Sequence, residues 1–149
     1  MLSIHSDDHY MNEAYKQALM AYEEGEIPVG AVIVANNQII ARAHNQTERL
    51  SDPTAHAEML AITAASNHLG TKYLSDCSLY VTLEPCGMCA GALYWSQLKA
   101  LVYSASDDKR GFTVLNKNLV HPKTEIRRGP MAHECSELVS SFFSRIRNK

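Results

Sequence analysis

The chain has 149 residues, of which 46% are hydrophobic and 20% are charged, so it is long enough to bury a core as one domain (residues 1–149) without disulfide bridges. No apolar run approaches the roughly 18 residues that cross a bilayer, and no basic and apolar leader opens the sequence. These features argue against an integral membrane protein and a disulfide-framed secreted domain, and they predict a cytoplasmic protein with reduced cysteines.

The net charge of −2 conceals an uneven distribution along the chain. Residues 1–108 carry 5 Lys and Arg against 13 Asp and Glu, whereas residues 109–149 carry 9 against 3. A basic C-terminal part on an acidic domain suggests a local anionic partner rather than general nucleic-acid affinity. A solvated helix face with cations near its C-terminus would give the same distribution, so charge alone leaves both interpretations open.

The first predicted helix covers residues 7–24, because apolar residues recur there at three- and four-residue spacing. Ser6 or Asp7 can cap this helix, and Gly25 ends it. Two β-rich runs joined by a polar turn follow and predict a β-hairpin, with strands at 29–34 and 39–45 and the turn at 36–38.

The second predicted helix covers residues 54–68, with Thr54 as its cap and Gly70 as its stop. A strand at 78–83 follows it. The proline at the start of segment 85–97 ends that strand and begins a third helix.

The remaining elements are a strand at 99–104, a loop or broken helix at 107–119, and a C-terminal helix at 132–145. Residues 124–126 form either a short last strand or a connector. This order of elements predicts an α/β fold, in which helices cover both faces of one mixed sheet of about five strands.

Three potential metal ligands stand out in the sequence: His56, Cys86 and Cys89. Two thiols three residues apart and an upstream imidazole suit tetrahedral zinc, and the lack of a fourth ligand at such spacing indicates a catalytic site that leaves one position for water. Glu58 is the natural general acid/base beside them. Residues i and i+2 project about 200° apart on a helix, so His56 and Glu58 can face one ion only beyond the helix N-terminus. The third helix would bring a second N-terminus to the site, which lowers thiol pKa values.

The pattern His-x-Glu followed by Pro-Cys-x-x-Cys is that of the zinc-dependent nucleobase deaminases. With its surroundings, the sequence resembles the bacterial tRNA-specific adenosine deaminases, which have the cytidine-deaminase-like fold. The resemblance covers nearly the whole chain, and its main segments are Ile27-Pro28-Val29-Gly30-Ala31-Val32, His44-Asn45, Asp52-Pro53-Thr54-Ala55-His56-Ala57-Glu58, Val81-Thr82-Leu83-Glu84-Pro85-Cys86, Met88-Cys89-Ala90-Gly91-Ala92 and His121-Pro122.

Two segments depart from the family pattern. Tyr94-Trp95 replaces a smaller pair and is similar to an aromatic pair of guanine deaminases, and Phe112-Thr113-Val114-Leu115 replaces a run of small residues. We expect Tyr94 and Trp95 to pack in the core or at a subunit interface, because they continue an apolar helix face.

The resemblance implies hydrolytic deamination of adenosine to inosine at the anticodon wobble position of tRNA. It further implies a three-layer α/β/α homodimer with one Zn²⁺ in each subunit. His56, Cys86 and Cys89 would hold the zinc. Glu58 would transfer protons from the attacking water to the ring nitrogen and then to the departing amine.

The resemblance also implies residues that contact the substrate: Asn45 at the base, Asp107 near the nucleotide backbone, and Val29 and Ala55 in matching segments. Asn45 could instead be a turn residue that closes its strand, and Asp107 could be an acid that caps its loop. We expect Glu84 at most to neutralise a nearby cation.

In the tail, Arg145, Arg147 and Lys149 are candidates for gripping tRNA phosphates. The nearest alternative function is a free-base or nucleoside deaminase, such as a guanine or cytosine deaminase, with the same metal site. Two further alternatives are a thiol oxidoreductase that uses the Cys-x-x-Cys pair and a non-catalytic zinc module that binds RNA.

Overall fold

The structure, a computed structural model, describes residues 6–148. Within these residues, five strands and five α-helices follow one another, with one short 3₁₀ helix. In chain order they are α1 (Asp7–Glu23), β1 (Gly30–Ala35), β2 (Gln38–His44), α2 (Ala57–Leu69), β3 (Cys77–Leu83), α3 (Gly87–Ser96), β4 (Ala100–Ala105), α4 (Phe112–Leu115), the 3₁₀ helix Lys117–Leu119, β5 (Glu125–Arg128) and α5 (Ala132–Arg147).

The five strands form one mixed sheet in the order β2-β1-β3-β4-β5. Strand β1 is antiparallel to β2 and β3, whereas β3, β4 and β5 are parallel to one another. Asn36 and Asn37 have φ values of 52° and 61°, as the tight turn of the predicted hairpin requires. These findings confirm the predicted α/β class, and the undecided segment near residue 125 is a strand.

Helices cover both faces of the sheet, because alternate residues of each strand project to opposite sides. Ala31 and Ile33 of β1 pack in the core beneath α2 and α3, whereas Val32 and Val34 pack against α1. Helix α5 lies on the same face as α1 and contacts β3 and β4. Helix α1 approaches β1 so closely that a Cβ atom on Gly30 would lie 2.0 Å from the carbonyl oxygen of Ala14.

The strand directions place several chain ends at the same edge of the sheet. Gly30 pairs with His44, so the start of β1 meets the end of β2. Strands β3 and β4 end together, where Leu83 pairs with Ala105. The residues that follow or precede these ends therefore gather at one edge, where a cavity forms.

The predicted cap of α2 is wrong. The helix begins at Ala57, and both the amide and the hydroxyl of Thr54 donate instead to Asp52 Oδ1, at 2.8 and 2.7 Å. The Ala57 amide donates to Asn45 Oδ1 at 2.8 Å, so the cap comes from the end of β2. A local Asx-type turn competes successfully for Thr54, because the Asp52 carboxylate is only two residues away.

Of the two placements predicted for Tyr94 and Trp95, core packing is wrong, and packing at a subunit interface stays a prediction. Trp95 is 75% exposed and Tyr94 is 36% exposed, and the two rings touch each other on the surface of α3. Along residues 6–148, no helix combines the length and the apolar character needed to cross a membrane.

Candidate active site

The three predicted ligands lie together at the starts of α2 and α3. His56 Nδ1 is 3.7 Å from Cys86 Sγ and 3.5 Å from Cys89 Sγ, and the ligand atoms of the three residues all lie within 4.8 Å of one another. A tetrahedral zinc ion bonded to one nitrogen and one sulfur holds these atoms about 3.6 Å apart. The cluster is therefore positioned to hold zinc through three protein atoms.

The local backbone explains how ligands from two segments converge. His56 and Cys86 are the N-cap residues of α2 and α3, both in extended conformation, and Cys89 is the third residue of α3. Neither side chain of these two N-cap residues caps its own helix, so both are free to bind a metal ion. The two helices contact each other on the same face of the sheet, which brings their N-termini side by side.

Hydrogen bonds within the cluster separate the pKa values of its members. Hydrogen bonds from the Cys89 thiol and from His56 lower the pKa of the Cys86 thiol to about 4. The Cys86–Cys89 hydrogen bond, together with burial, raises the pKa of Cys89, and the hydrogen bond with Cys86 raises the pKa of His56. Zinc takes thiolates and a neutral imidazole, so its binding releases protons and strengthens as the pH rises.

Glu58 lies in the first turn of α2 beside this cluster and is only 4% exposed. Burial raises the pKa of its carboxyl to about 7. A carboxyl with a pKa near neutrality is suited both to accept and to donate a proton, because a general acid/base works best when its pKa is near the operating pH.

The cluster opens into a cavity of about 760 Å³ at the edge of the sheet, where β1 starts and β2, β3 and β4 end. His56, Cys86 and Glu58 line its inner end, and Cys89 is fully buried. The walls of the cavity come from four other parts of the chain: Ile27 and Val29 with Asn45 and Thr47, Leu83 with Glu84, the segment 105–110, and one face of α5 formed by Ser136, Val139, Ser140, Phe143, Ser144 and Arg147.

Of the predicted substrate-binding residues, Asn45, Val29 and Asp107 line this cavity and Ala55 does not. Asn45 closes its strand and caps α2, and no group within residues 6–148 accepts a hydrogen bond from its Nδ2. That donor therefore remains available to a ligand. The carboxylate of Asp107 accepts hydrogen bonds from the amides of Lys109 and Arg110, so it caps its own loop.

The predicted tail residues separate into two groups. Arg147 lines the cavity, whereas Arg145 lies over the ring of Tyr22, 4.4 Å from its centroid, and donates to the Tyr22 carbonyl oxygen. Lys149 lies outside the described residues. Adjacent arginines of a helix differ in this way because residues i and i+2 project to nearly opposite sides.

Two cavity-lining cations, Lys109 and Arg110, were missed. The only signal for them in the sequence is that the basic part of the chain begins at residue 109. Sequence reasoning also missed the roles of two buried carboxylates, those of Glu26 and Glu84, which hold the loops beside the cavity. Glu26 accepts from the amides of Glu48 and Arg49, at 3.0 and 2.8 Å.

Glu84 holds the second of these loops, and the expectation that it neutralises a cation is wrong. Its carboxylate accepts from the amide of Asp107 and from the amide and hydroxyl of Thr113. Nothing in the sequence distinguishes these two glutamates from exposed ones, because their partners lie more than twenty residues away.

The two segments that depart from the family pattern do not reach the cavity. Tyr94 and Trp95 lie on the exposed side of α3, Phe112 is buried in the core, and Val114 and Leu115 are exposed. None of these side chains lines the cavity.

The chain matches a known protein family. Residues 4–105 match the model of the cytidine and deoxycytidylate deaminase zinc-binding region. The chain is 46% identical over 146 residues to the tRNA-specific adenosine deaminase of Aquifex aeolicus (strain VF5), covering 95% of this chain and 96% of that protein.

Two solved structures are similar as well. One comes from a study of A-to-I editing by tRNA:A34 deaminases at the wobble position; it has a TM-score of 0.82 and 38% identity, covering 88% of this chain and 99% of the other. The other is a guanine deaminase from Bacillus subtilis, with a TM-score of 0.67 and 32% identity, covering 97% of this chain and 95% of the other. The fold of these structures confirms the predicted three-layer arrangement.

The metal cluster predicts how cysteine variants will bind zinc. We expect Cys86→Ser to lose its zinc, because the remaining two ligands cannot complete the site, whereas Cys135→Ser keeps about one zinc per chain. Cys135 is a buried thiol outside the cluster and is the matched control. Atomic absorption after gel filtration measures the zinc, and equal contents in the two variants would contradict this assignment.

Proposed function

We propose that this chain, which belongs to the cytidine and deoxycytidylate deaminase family, converts adenosine to inosine in the anticodon of tRNA. The observation that carries the reaction is the cluster of His56, Cys86 and Cys89 beside the buried carboxyl of Glu58 at the inner end of a cavity. The substrate rests on the 46% identity with a tRNA-specific adenosine deaminase over nearly the full length of both chains.

The chemistry divides between the metal ion and Glu58. Zinc held by His56, Cys86 and Cys89 would acidify a water, whose pKa falls to about 7 on catalytic zinc, and so supply the nucleophile. Glu58 would take up at its carboxylate the proton released from the water and pass it to N1 of the adenine ring as hydroxide bonds to C6. It would then take the proton of the new C6 hydroxyl and pass it to the amino group, so that the C6–N bond breaks and ammonia leaves. Adenosine and water thus give inosine and ammonia.

Asn45 is the residue that we assign to hold the base. Its Oδ1 is engaged by the Ala57 amide, which fixes the plane of the side-chain amide. Asn45 lines the cavity, so its Nδ2 can donate to an acceptor on the edge of a flipped purine. Val29 lines the same cavity and offers an apolar contact to the ring.

RNA rather than a free base suits the outer part of the cavity. Lys109, Arg110 and Arg147 line it, and cationic side chains at such positions hold phosphates without reading sequence. Phe143 lines the same region and offers an aromatic face, on which single-stranded bases commonly stack.

Guanine deamination is the second candidate function. It is favoured by the 32% identity with a guanine deaminase of nearly the same length. The aromatic pair that resembles guanine deaminases, Tyr94-Trp95, does not line the cavity and so gives no support for a guanine pocket. The three cations at the cavity would also find no negatively charged group on a free base, which is uncharged.

We further propose that the chain acts in the cytoplasm as a homodimer. Trp95, Leu115 and Val114 are 75%, 64% and 56% exposed, and neighbouring Tyr94 contacts the ring of His121. Exposed apolar surface of this kind, on α3 and α4, is typical of an interface with another protein chain. Sedimentation equilibrium measures the oligomeric state, and a monomer at micromolar concentration would contradict the dimer.

The first experiment offers the zinc-loaded chain an adenosine-bearing anticodon stem-loop RNA, in parallel with guanine, cytosine, adenosine and cytidine. We expect ammonia and inosine from the stem-loop and no turnover of the small molecules. Turnover of guanine or cytosine with the RNA untouched would replace the proposed substrate and keep the metal site.

The same assay tests Glu58. We expect Glu58→Gln to fold, to retain zinc and to lose activity by at least about 10²–10⁴-fold, because general acid/base catalysis contributes that much. Zinc content and circular dichroism check that the variant is intact. Residual activity near that of the unmodified chain would refute the role of Glu58, and it would also favour a zinc module that only binds RNA.

Variants of Asn45 separate its two roles. Asn45→Asp keeps an oxygen for the Ala57 amide but removes the Nδ2 donor, whereas Asn45→Ala removes both. We expect both variants to lose activity on the stem-loop by roughly 10- to 100-fold, because a polar edge of the base is left unpaired. Only Asn45→Ala should lower the free energy of unfolding, by about 1 kcal/mol for a lost helix cap. Urea denaturation of both variants, compared with their kinetics, measures the difference.

Arg147 and Arg145 form a matched pair for testing RNA contacts. We expect Arg147→Gln to reduce the slope of log K against log salt by about 0.7, the value for one phosphate contact on a single strand. Arg145→Gln should leave the slope unchanged, because its guanidinium lies on Tyr22. Fluorescence titrations of the stem-loop at several salt concentrations measure both slopes, and equal reductions would contradict the placement of Arg145.

A further inference from the structure

The buried carboxylate of Glu84 holds a loop of the cavity wall. Glu84 follows the end of β3, two residues before the ligand Cys86, and is 4% exposed. One of its oxygens accepts from the amide of Asp107 at 3.2 Å. The other accepts from the amide and the hydroxyl of Thr113, at 3.0 and 2.6 Å. The two ends of the loop at 107–113 are thus tied to one side chain.

Hydrogen bonds inside the loop also hold the backbone of its two cationic residues, Lys109 and Arg110. Asp107 Oδ1 accepts from the amides of Lys109 and Arg110, at 3.1 and 2.9 Å, and the Asp107 carbonyl accepts from the amide of Gly111 at 3.0 Å. The loop is therefore one hydrogen-bonded unit, whose position depends on the Asp107 amide held by Glu84. Lys109 and Arg110 line the cavity from this unit.

The sequence of the loop accommodates Glu84 at close range. A Cβ atom on Gly111 would lie 2.3 Å from Glu84 Oε2 and 2.6 Å from the Asp107 carbonyl oxygen, so only glycine leaves room for the carboxylate. The Phe112 amide donates to the Pro85 carbonyl oxygen at 2.9 Å, and Gly111 forms a bridge with Cys86. The loop and the metal-binding turn are consequently joined by backbone contacts at the two residues that follow Glu84.

We propose that Glu84 is a positioning residue for RNA binding, which holds the 107–113 loop so that Lys109 and Arg110 meet the backbone phosphates next to the base in the cavity. This inference rests on the proposed function. A loop already ordered in its binding conformation loses less entropy when the RNA binds, so the contribution of Glu84 lies in affinity rather than in the chemical step. Glu84 itself contacts neither the base nor the phosphates in this scheme.

Thr113 gives the cleanest test, because it is exposed, does not line the cavity and donates two of the three hydrogen bonds. Thr113→Val has the same shape without the hydroxyl, and Thr113→Ser keeps the hydroxyl and is the matched control. Glu84→Gln is the direct variant. The neutral amide of this variant cannot accept a hydrogen bond at every position where the carboxylate does. The zinc content of the Glu84→Gln protein shows whether the neighbouring metal site has survived.

The experiment measures stem-loop affinity by fluorescence anisotropy in a Glu58→Gln background, and single-turnover rates with Glu58 intact. We expect Thr113→Val to weaken RNA binding about three- to tenfold, within the range of a typical net hydrogen-bond contribution. The rate at saturating RNA should stay within about twofold, since only binding is affected. Thr113→Ser should behave as the unmodified chain does.

A double-mutant cycle tests whether the effect passes through the two cations. In a chain that carries Lys109→Gln and Arg110→Gln, Thr113→Val should have little further effect on affinity, because the groups that it misplaces are gone. Unchanged affinity in Thr113→Val, an equal loss in Thr113→Ser, or an undiminished loss in the Lys109→Gln/Arg110→Gln background would each overturn the proposal.

Amide hydrogen exchange separates this inference from the proposed function. Without RNA present, the amides of residues 107–113 should exchange faster in Thr113→Val than in Thr113→Ser, because the tie to Glu84 is weakened. Equal exchange would overturn the proposal whatever the substrate is. If the unmodified chain neither binds nor deaminates the stem-loop, the proposed function fails together with the RNA-binding role, and this result requires no variant.

Discussion

The hydrogen bond from the Ala57 amide to Asn45 Oδ1 is the contact on which the rest of the site depends. It joins the end of β2 to the start of α2, and the residues on either side of Ala57 are His56 and Glu58. The position of α2 along the sheet edge therefore decides whether the imidazole reaches the two thiols of α3 and whether the carboxyl stands beside them. A helix whose first amide is capped by a distant strand cannot shift along its axis without leaving that amide unpaired in the interior.

Two buried carboxylates beside the cavity each accept hydrogen bonds from two backbone amides. Glu26 holds the loop at 47–49 and Glu84 holds the loop at 107–113, on the two sides of the cavity. A carboxylate that accepts several N–H groups recovers much of the stabilisation that it loses on leaving water. Two short loops, which would otherwise sample many conformations, thereby become fixed walls. The acidic character of the N-terminal part of the chain thus has a partly structural origin.

The sequence was sufficient wherever the physics is local. The spacing of Cys86 and Cys89 specifies one turn of helix, and the sequence pattern located the four long helices and the first four strands to within about three residues of their observed ends. The sequence was insufficient where the hydrogen-bond partner of a residue lies far along the chain. Thr54 has all the properties of a helix cap, and only the structure shows that Asp52 takes its hydrogen bonds while Asn45 caps the helix. Nor does the helical pattern of the last segment tell which of its arginines faces the cavity.

Helix α5 forms the outer wall of the cavity and follows every other element in the chain. During translation, at about 5–20 residues per second, all three metal ligands leave the ribosome before this wall has been made. Until α5 has formed, the metal-binding residues lack this wall of the cavity. When α5 packs against α1, it closes a site whose inner end is already complete. The metal-binding residues are thus synthesised before the helix that completes the cavity.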